Sequence, residues 1–159
     1  MKEEIIDTMS DVKVKEVPDQ IILSIRYKGK YGEIGTYLAK LHEAGAKYAS
    51  GPPFALIYEE ETNETNADIE ACLPIRKKIT CGEFISTELK GGKALSMIHE
   101  GPYDTIINSY KFISDYAEEN GIKLTPPSRE IYIKGYGMIL KGNPDKYITE
   151  IQFLTTKNP

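Results

Sequence analysis

Two glutamates stand inside apolar, strand-like segments, and charge-based chemistry would begin there. Glu150 interrupts the run Tyr147 to Leu154, and period-two alternation puts Ile148 and Gln152 on its face of the strand. A carboxylate in such a run costs free energy unless it is paired or faces a cavity. The ordinary alternative is a solvent-facing glutamate paired with a cross-strand Lys or Arg. Glu70, in the run Asp68 to Leu73, shares its face with Asp68 and Cys72 and lies near the acidic Glu60 and Glu61, so a solvated acidic edge is the competing reading. If the two carboxylates meet in a partly dry cleft, like charge makes them hold one proton between them. Such a pair attracts a cation, or acts as acid and base towards an electrophile and a water.

Aromatic usage points the same way. The chain has eleven Tyr, four Phe and no Trp. Tyr110 lies mid-helix on an apolar stripe, Tyr37 lies one residue from the corresponding place earlier in the chain, and Tyr58 and Tyr132 are matched strand residues. An aromatic face attracts a cation by about 0.5–2 kcal/mol. Each tyrosine alone reads as a core residue with its hydroxyl towards solvent; as a set, two or three are expected to line a groove. His99 and Tyr103 bracket Gly101-Pro102, which reads as a strand-to-helix turn rather than a catalytic histidine. Arg129 beside Glu130 reads as a surface or inter-strand ion pair. Cys72 has no sequence-neighbouring His and reads as buried and inert. No metal-ligand cluster is seen. Gly91-Gly92 and Gly135-Tyr136-Gly137 lack the strand-loop-helix setting of a nucleotide site, so no cofactor is expected.

The elements that must carry these residues occur twice. Ser24, Gly29 and Tyr31 recur as Ser96, Gly101 and Tyr103, and the register continues with Ile34 over Ile106 and Leu41 over Ile113. Further on, Ile57-Tyr58 matches Ile131-Tyr132, and Asp68 to Leu73 lies over Ile148 to Phe153. Each copy reads strand, helix, strand, strand, with copies at about 12–79 and 80–159 of one domain. In the first copy, Lys13 to Val17 and Ile21 to Tyr27 are strands, broken at Pro18; Ile34, Leu38, Leu41 and Gly45 follow helical spacing; Phe54 to Glu59 and Ile69 to Ile75 are strands around an acidic loop, Glu59 to Asn66. In the second, Phe84 to Leu89 and Ala94 to His99 flank Gly91-Gly92. Tyr103, Ile106, Tyr110, Ile113 and Ala117 form a helical stripe stopped by Asn120-Gly121. Pro126-Pro127 resets the chain, and strands at Ile131 to Lys134 and Tyr147 to Phe153 flank the turn Gly142 to Asp145. The fold class predicted is α+β: an antiparallel sheet with pseudo-twofold symmetry, two main helices on one face, and a groove between them on the axis.

Composition bounds the function. The chain has 159 residues, 40% of them hydrophobic, and a net charge of −4. That charge argues against direct nucleic-acid binding, which needs a basic face. The N-terminal residues are not a signal sequence, no run approaches the ~18 apolar residues of a membrane span, and two cysteines make no disulfide framework. A cytoplasmic monomer or homodimer is expected.

His99-x-Gly101-Pro102-Tyr103, then a helix, then Arg129-Glu130-Ile131-Tyr132, then Tyr147 to Gln152, resembles the GyrI-like, AraC-type effector-binding domain. The resemblance covers about Val14 to Thr155 and rests on the order and spacing of short motifs. It implies two strand-helix-strand-strand modules and a central groove for bulky, often cationic aromatic compounds. It also implies an acidic anchor on the last strand, which Glu150 matches. A second implication is hydrolysis of strained, cyclopropane-containing electrophiles, with Glu70 and Glu150 as the acid–base pair. A third is a gyrase-inhibitor-like interaction. Only about a dozen residues precede the first strand, so the chain is not expected to be a conventional AraC- or MerR-type activator.

Overall fold

The computed structural model describes residues 11–58, 65–134 and 144–155. Its strands are β1 (Lys13–Val17), β2 (Gln20–Gly29), β3 (Phe54–Ile57), β4 (Ala67–Ile75), β5 (Ile85–Leu89), β6 (Gly92–Glu100), β7 (Leu124–Lys134) and β8 (Ile148–Thr155); its helices are α1 (Ile34–Gly45) and α2 (Ile106–Glu119). All eight strands form one antiparallel sheet in the order β1-β6-β8-β7-β3-β4-β2-β5. Exchanging each strand of one copy for its counterpart in the other reverses this order onto itself. The pseudo-twofold axis therefore passes between β3 and β7. The first strand of each copy pairs in the other half, β1 on β6 and β5 on β2. Pro18 ends β1 where the chain leaves one half of the sheet for the other.

Local sequence explains the helices. Ile34, Leu38, Leu41 and Gly45 recur at three and four residues and are the buried face of α1, packed on Leu23, Ala71, Leu73 and Ile75. A side chain at Gly45 would come within 3.1 Å of Leu23 and 3.3 Å of Leu73, so the glycine lets the helix end lie close to the sheet. Ile106, Ser109, Ile113 and Ala117 are the buried face of α2, over Leu95 and Ile151. Both helices lie on one face. The core is therefore two clusters, one under each helix, with β3 and β7 between them. A smaller cluster of Ile22, Phe54, Leu56 and Cys72 covers part of the opposite face.

The repeat correspondence needs one correction. Ser24 and Ser96 donate to Glu70 and Glu150 respectively, so β2 matches β6 and β4 matches β8 in the expected register. Phe54 lies opposite Cys72, and Arg129 lies opposite Gln152. Phe54 therefore corresponds to Arg129, Ala55 to Glu130, and Ile57 to Tyr132. Tyr58 corresponds to Ile133, not to Tyr132. A one-residue slip reverses the face on which a strand side chain points.

Strand β7 also starts earlier than expected. It runs from Leu124 through Pro126-Pro127, with a register shift between Thr125 and Arg129. The prolines sit in that irregularity, where no ladder hydrogen bond is asked of them. The acidic residues Glu59 to Glu64, including Glu60 and Glu61, lie outside the described residues, as do Gly135-Tyr136-Gly137 and the start of the Gly142 to Asp145 turn.

Candidate functional site

The floor of the groove between α1 and α2 is where the axis crosses the sheet. Ala55 and Glu130 are symmetry counterparts and lie directly opposite each other in the central ladder. The alanine leaves room for the larger side chain of its counterpart. Glu130 is 1% exposed, with no basic partner among the described residues. Its carboxylate accepts hydrogen bonds from three phenols instead: Tyr31 on Oε1, Tyr110 on Oε2, and Tyr132 on Oε1 at 2.9 Å.

The three phenols come from three elements. Tyr31 is in the single 3-10 turn that leads into α1, Tyr110 is mid-α2, and Tyr132 is two residues along β7, on Glu130's own face. The turn into α1 and the middle of α2 thus each send one ring to the axis. Ser128, two residues before Glu130, meets the Tyr110 hydroxyl at 3.2 Å. Tyr103 packs edge-on against Tyr132 at 5.7 Å and lies 5.2 Å from Tyr147, and Phe153 packs edge-on against Tyr110 at 5.9 Å.

The electrostatics follow from burial. It pushes the Glu130 carboxyl above the ordinary carboxylate range, against the hydrogen bonds of Tyr110, Tyr31 and Tyr132 and the nearby His99, which favour the charged form. Burial and the adjacent Glu130 push the Tyr110 and Tyr132 phenols well above their usual range, so they stay neutral donors. The arrangement is a buried carboxylate enclosed by phenols and aromatic rings, without an ion-pair partner among the described residues; His99 is the nearby base whose charge favours its ionised form.

The expected site residues divide between the two faces of the sheet. Tyr110 and Tyr132 reach the groove carboxylate. Tyr37, on α1, stacks on Tyr27 with centroids 4.1 Å apart and makes no hydrogen bond to Glu130. Glu150 is not in the groove: its side chain lies on the face away from the helices. There it accepts from Lys15 Nζ at 2.8 Å, Ser96 Oγ at 2.7 Å and Gln152 Nε2 at 2.8 Å. Partial burial raises its pKa, but these donors outweigh that and hold the carboxyl below its ordinary value.

Glu70 and Tyr58 share that second face. Glu70 accepts from Ser24 at 2.6 Å and Tyr58 at 2.6 Å, and Arg26 lies 3.7 Å over the Tyr58 ring while pairing with Asp68. Strands β7 and β3 separate Glu150 from Glu70. That is about 14 Å along the sheet at ordinary strand spacing. The two glutamates hold separate partners and form no shared-proton pair.

Glu130 is the residue the sequence reading passed over, taking it as the partner of Arg129. Adjacent strand residues point to opposite faces, and here Arg129 and Glu130 are both buried, one on each face. Alternation along Ser128-Arg129-Glu130-Ile131-Tyr132 was the available signal, since it puts Glu130 with Ser128 and Tyr132 and apart from Arg129. The turn reading of His99 holds. Its ring is buried, with Nδ1 at 2.8 Å from Ser109 Oγ and Nε2 at 3.1 Å from the Pro102 carbonyl, and it ties β6 to α2. Gly101 has φ +123, a conformation side-chain-bearing residues rarely adopt. Cys72 is fully buried, and burial raises its thiol pKa well above the usual value. Among the described residues there is no metal-ligand cluster, and no helix is long and apolar enough to cross a membrane.

Known structures share this architecture. The crystal structure of the EcmrR C-terminal domain aligns with a TM-score of 0.77 at 28% identity, over 93% of this chain and 98% of that one. EcmrR in a cryo-EM complex with DNA aligns at 0.80 with 23% identity, over 99% of this chain and 69% of that one. SAV2435 bound to tetraphenylphosphonium aligns at 0.64 with 13% identity, over 92% and 94%. No curated protein sequence matches the chain. The family model for the GyrI-like small molecule binding domain matches residues 10–154, nearly the whole described structure, and the chain belongs to that family.

Proposed function

We propose that the chain binds a lipophilic, aromatic cation in the groove between α1 and α2, with Glu130 as the charge anchor in place of Glu150. One observation carries this reading: a carboxylate 1% exposed, on the pseudo-twofold axis, with three phenols and no basic partner among the described residues. A buried anion without an ion-pair partner is costly, and a ligand cation relieves that cost. Tyr31, Tyr110 and Tyr132 supply aromatic faces, and Tyr103 lies over Tyr132. Admission requires these rings to turn aside, since the carboxylate is covered. The tetraphenylphosphonium held by SAV2435 is a cation of this chemical kind and sets the choice of probe. The net charge of −4 agrees with a domain that makes no nucleic-acid contact of its own. An acid–base role for Glu70 and Glu150 gains nothing from their separation.

The test is a thermal-shift series with tetraphenylphosphonium and neutral triphenylphosphine oxide on wild type, Glu130→Gln and Glu150→Gln. At about 100 times its dissociation constant, a ligand stabilises by about 2.7 kcal/mol, a shift of several degrees. The expected result is a shift by the cation only, absent in Glu130→Gln and kept in Glu150→Gln. A cation shift that survives Glu130→Gln, or no shift in wild type, overturns the reading.

A further inference from the structure

The three phenols around Glu130 are shared unequally between its two oxygens. Oε1 accepts from Tyr31 and Tyr132, whereas Oε2 accepts from Tyr110. Tyr110 has a further partner: its hydroxyl lies 3.2 Å from Ser128 Oγ, and either oxygen can donate. Ser128 is 4% exposed. It lies opposite Ile57, as Glu130 lies opposite Ala55, so both β7 side chains point to the helix face. A hydroxyl both donates and accepts. Ser128, Tyr110 and Glu130 therefore form a chain that can run in either direction. With Glu130 ionised, Ser128 donates to Tyr110 and Tyr110 donates to Oε2. With a proton on Oε2, the carboxyl donates to the Tyr110 oxygen and Tyr110 donates to Ser128. Only hydrogens turn, and Tyr31 and Tyr132 donate to Oε1 in both states.

The surroundings decide which direction wins. Strands β3 and β8 place Ala55 and Ile151 opposite Glu130, and neither ionises. The turn into α1 contributes Tyr31, α2 contributes Tyr110, and β7 contributes Tyr132, on whose ring Tyr103 packs. Tyr37 of α1 is engaged with Tyr27 instead. Strand β6 contributes His99, the nearby base whose charge favours the ionised carboxyl. Against these stands burial: at 1% exposure, with no ion pair among the described residues, the charged form bears the full cost of leaving water. Burial is the largest of these influences and raises the carboxyl above its ordinary range. A cation in the groove reverses the balance, because it favours the ionised form.

We propose that Ser128 and Tyr110 form a reversible hydrogen-bond switch for Glu130, so that the empty groove stores a proton on Oε2 and gives it up to solvent as a cation is taken in. The release step rests on the cation-binding reading of the groove; the proton store is a property of the empty protein. Ser128 is thus a positioning residue that acts on Glu130 through Tyr110. Cation uptake is weakest in acid, where the proton competes, and strengthens as pH rises through the titration of the carboxyl.

Two measurements test this, the first without ligand. In carbon-13 NMR of protein labelled at the glutamate carboxyls, the Glu130 signal is the one lost in Glu130→Gln. Ser128→Ala is expected to lower its titration midpoint by about 0.5–1 pH unit, because the protonated form loses one hydrogen bond. Ser128→Thr, which keeps the hydroxyl, is expected to retain the wild-type midpoint. A midpoint unmoved or raised in Ser128→Ala, or lowered as much in Ser128→Thr, overturns the proposal. The second is calorimetry with tetraphenylphosphonium from about pH 5 to about pH 9, in buffers of different ionisation enthalpy. Wild type is expected to gain up to about tenfold in affinity per pH unit below the midpoint, releasing up to one proton per cation in acid and none in alkali. Ser128→Ala is expected to bind about three- to tenfold tighter than wild type in acid, to release fewer protons, and to converge with wild type in alkali. A flat wild-type profile, or a Ser128→Ala profile parallel to it, also overturns the proposal. Absence of cation binding at every pH overturns the groove reading and the release step with it, while the carbon-13 midpoints still decide the switch.

Discussion

Glu130 and Glu150 are almost neighbours in the backbone. Ile131 lies opposite Glu150 across the β7–β8 ladder, and Glu130 lies opposite Ile151. Their side chains nevertheless face opposite sides of the sheet. Glu150 keeps 13% of its side-chain surface and takes a lysine ammonium at 2.8 Å. Glu130 keeps almost none and takes only phenols. Burial acts on both, but a cation and two further donors win at Glu150, whereas desolvation wins at Glu130. A carboxylate of one type, one residue out of phase, is thus a neutralised structural group on one face and an unmatched charge on the other.

The sharpest way to break this contrast is binding. Glu130→Gln is expected to weaken tetraphenylphosphonium by about 2–5 kcal/mol, the cost of removing one partner of a desolvated charge pair. Glu150→Gln is expected to change it by less than about 1 kcal/mol, its charge being met by Lys15 already. Titration calorimetry on both variants measures the two values. Equal losses would erase the distinction between the faces.

Stability offers a smaller contrast. Tyr132→Phe removes a 2.9 Å hydrogen bond to a buried carboxylate and is expected to cost about 1.5–3 kcal/mol in urea unfolding near neutral pH. Lys15→Met removes an ion pair whose lysine is 45% exposed. Its expected cost is below about 1 kcal/mol, and it shrinks further in salt. A Lys15 effect as large as that of Tyr132 would mean that solvent does not screen the second face.

The smallest difference is in pH dependence, and its sign is opposite for the two residues. The folded Glu130 carboxyl has a raised pKa, so the folded state holds a proton the unfolded chain has lost. Its contribution is complete below the ordinary carboxylate range and is lost as pH rises through the raised value. Glu150 has a lowered pKa; its contribution is present above the ordinary range and is lost as pH falls through the lowered value. Against wild type, Glu130→Gln is therefore expected to gain relative stability as pH rises from acid to alkaline. Glu150→Gln is expected to show its deficit only above acid pH. Urea unfolding across a pH series reads both slopes, and parallel slopes would contradict the opposed environments.

Much of the architecture was legible because it is written locally. The apolar spacings of Ile34 to Gly45 and Ile106 to Ala117 fix two helices, and the Ser, Gly and Tyr positions repeated along and just after β2 and β6 fix the duplication. The register of the third strand pair was not legible by similarity. Ile57-Tyr58 and Ile131-Tyr132 look alike, yet hydrogen bonding aligns Ile57 with Tyr132. The residue error placed Tyr58 with the groove tyrosines, when it lies across the sheet beside Glu70.

Sequence by itself determined the α+β class, the two modules, the strand and helix segments, and which residues of each strand share a face. All of these follow from backbone periodicity, which is a property of the chain within a few residues. Tertiary structure alone decided which face of each strand the helices cover. It also decided that Ala55 and Glu130 meet on the axis, and that Lys15 comes from the other half of the molecule to neutralise Glu150. Those outcomes depend on pairing between segments far apart in the chain. A strand's alternation is equally consistent with either face until its neighbours in the sheet are known.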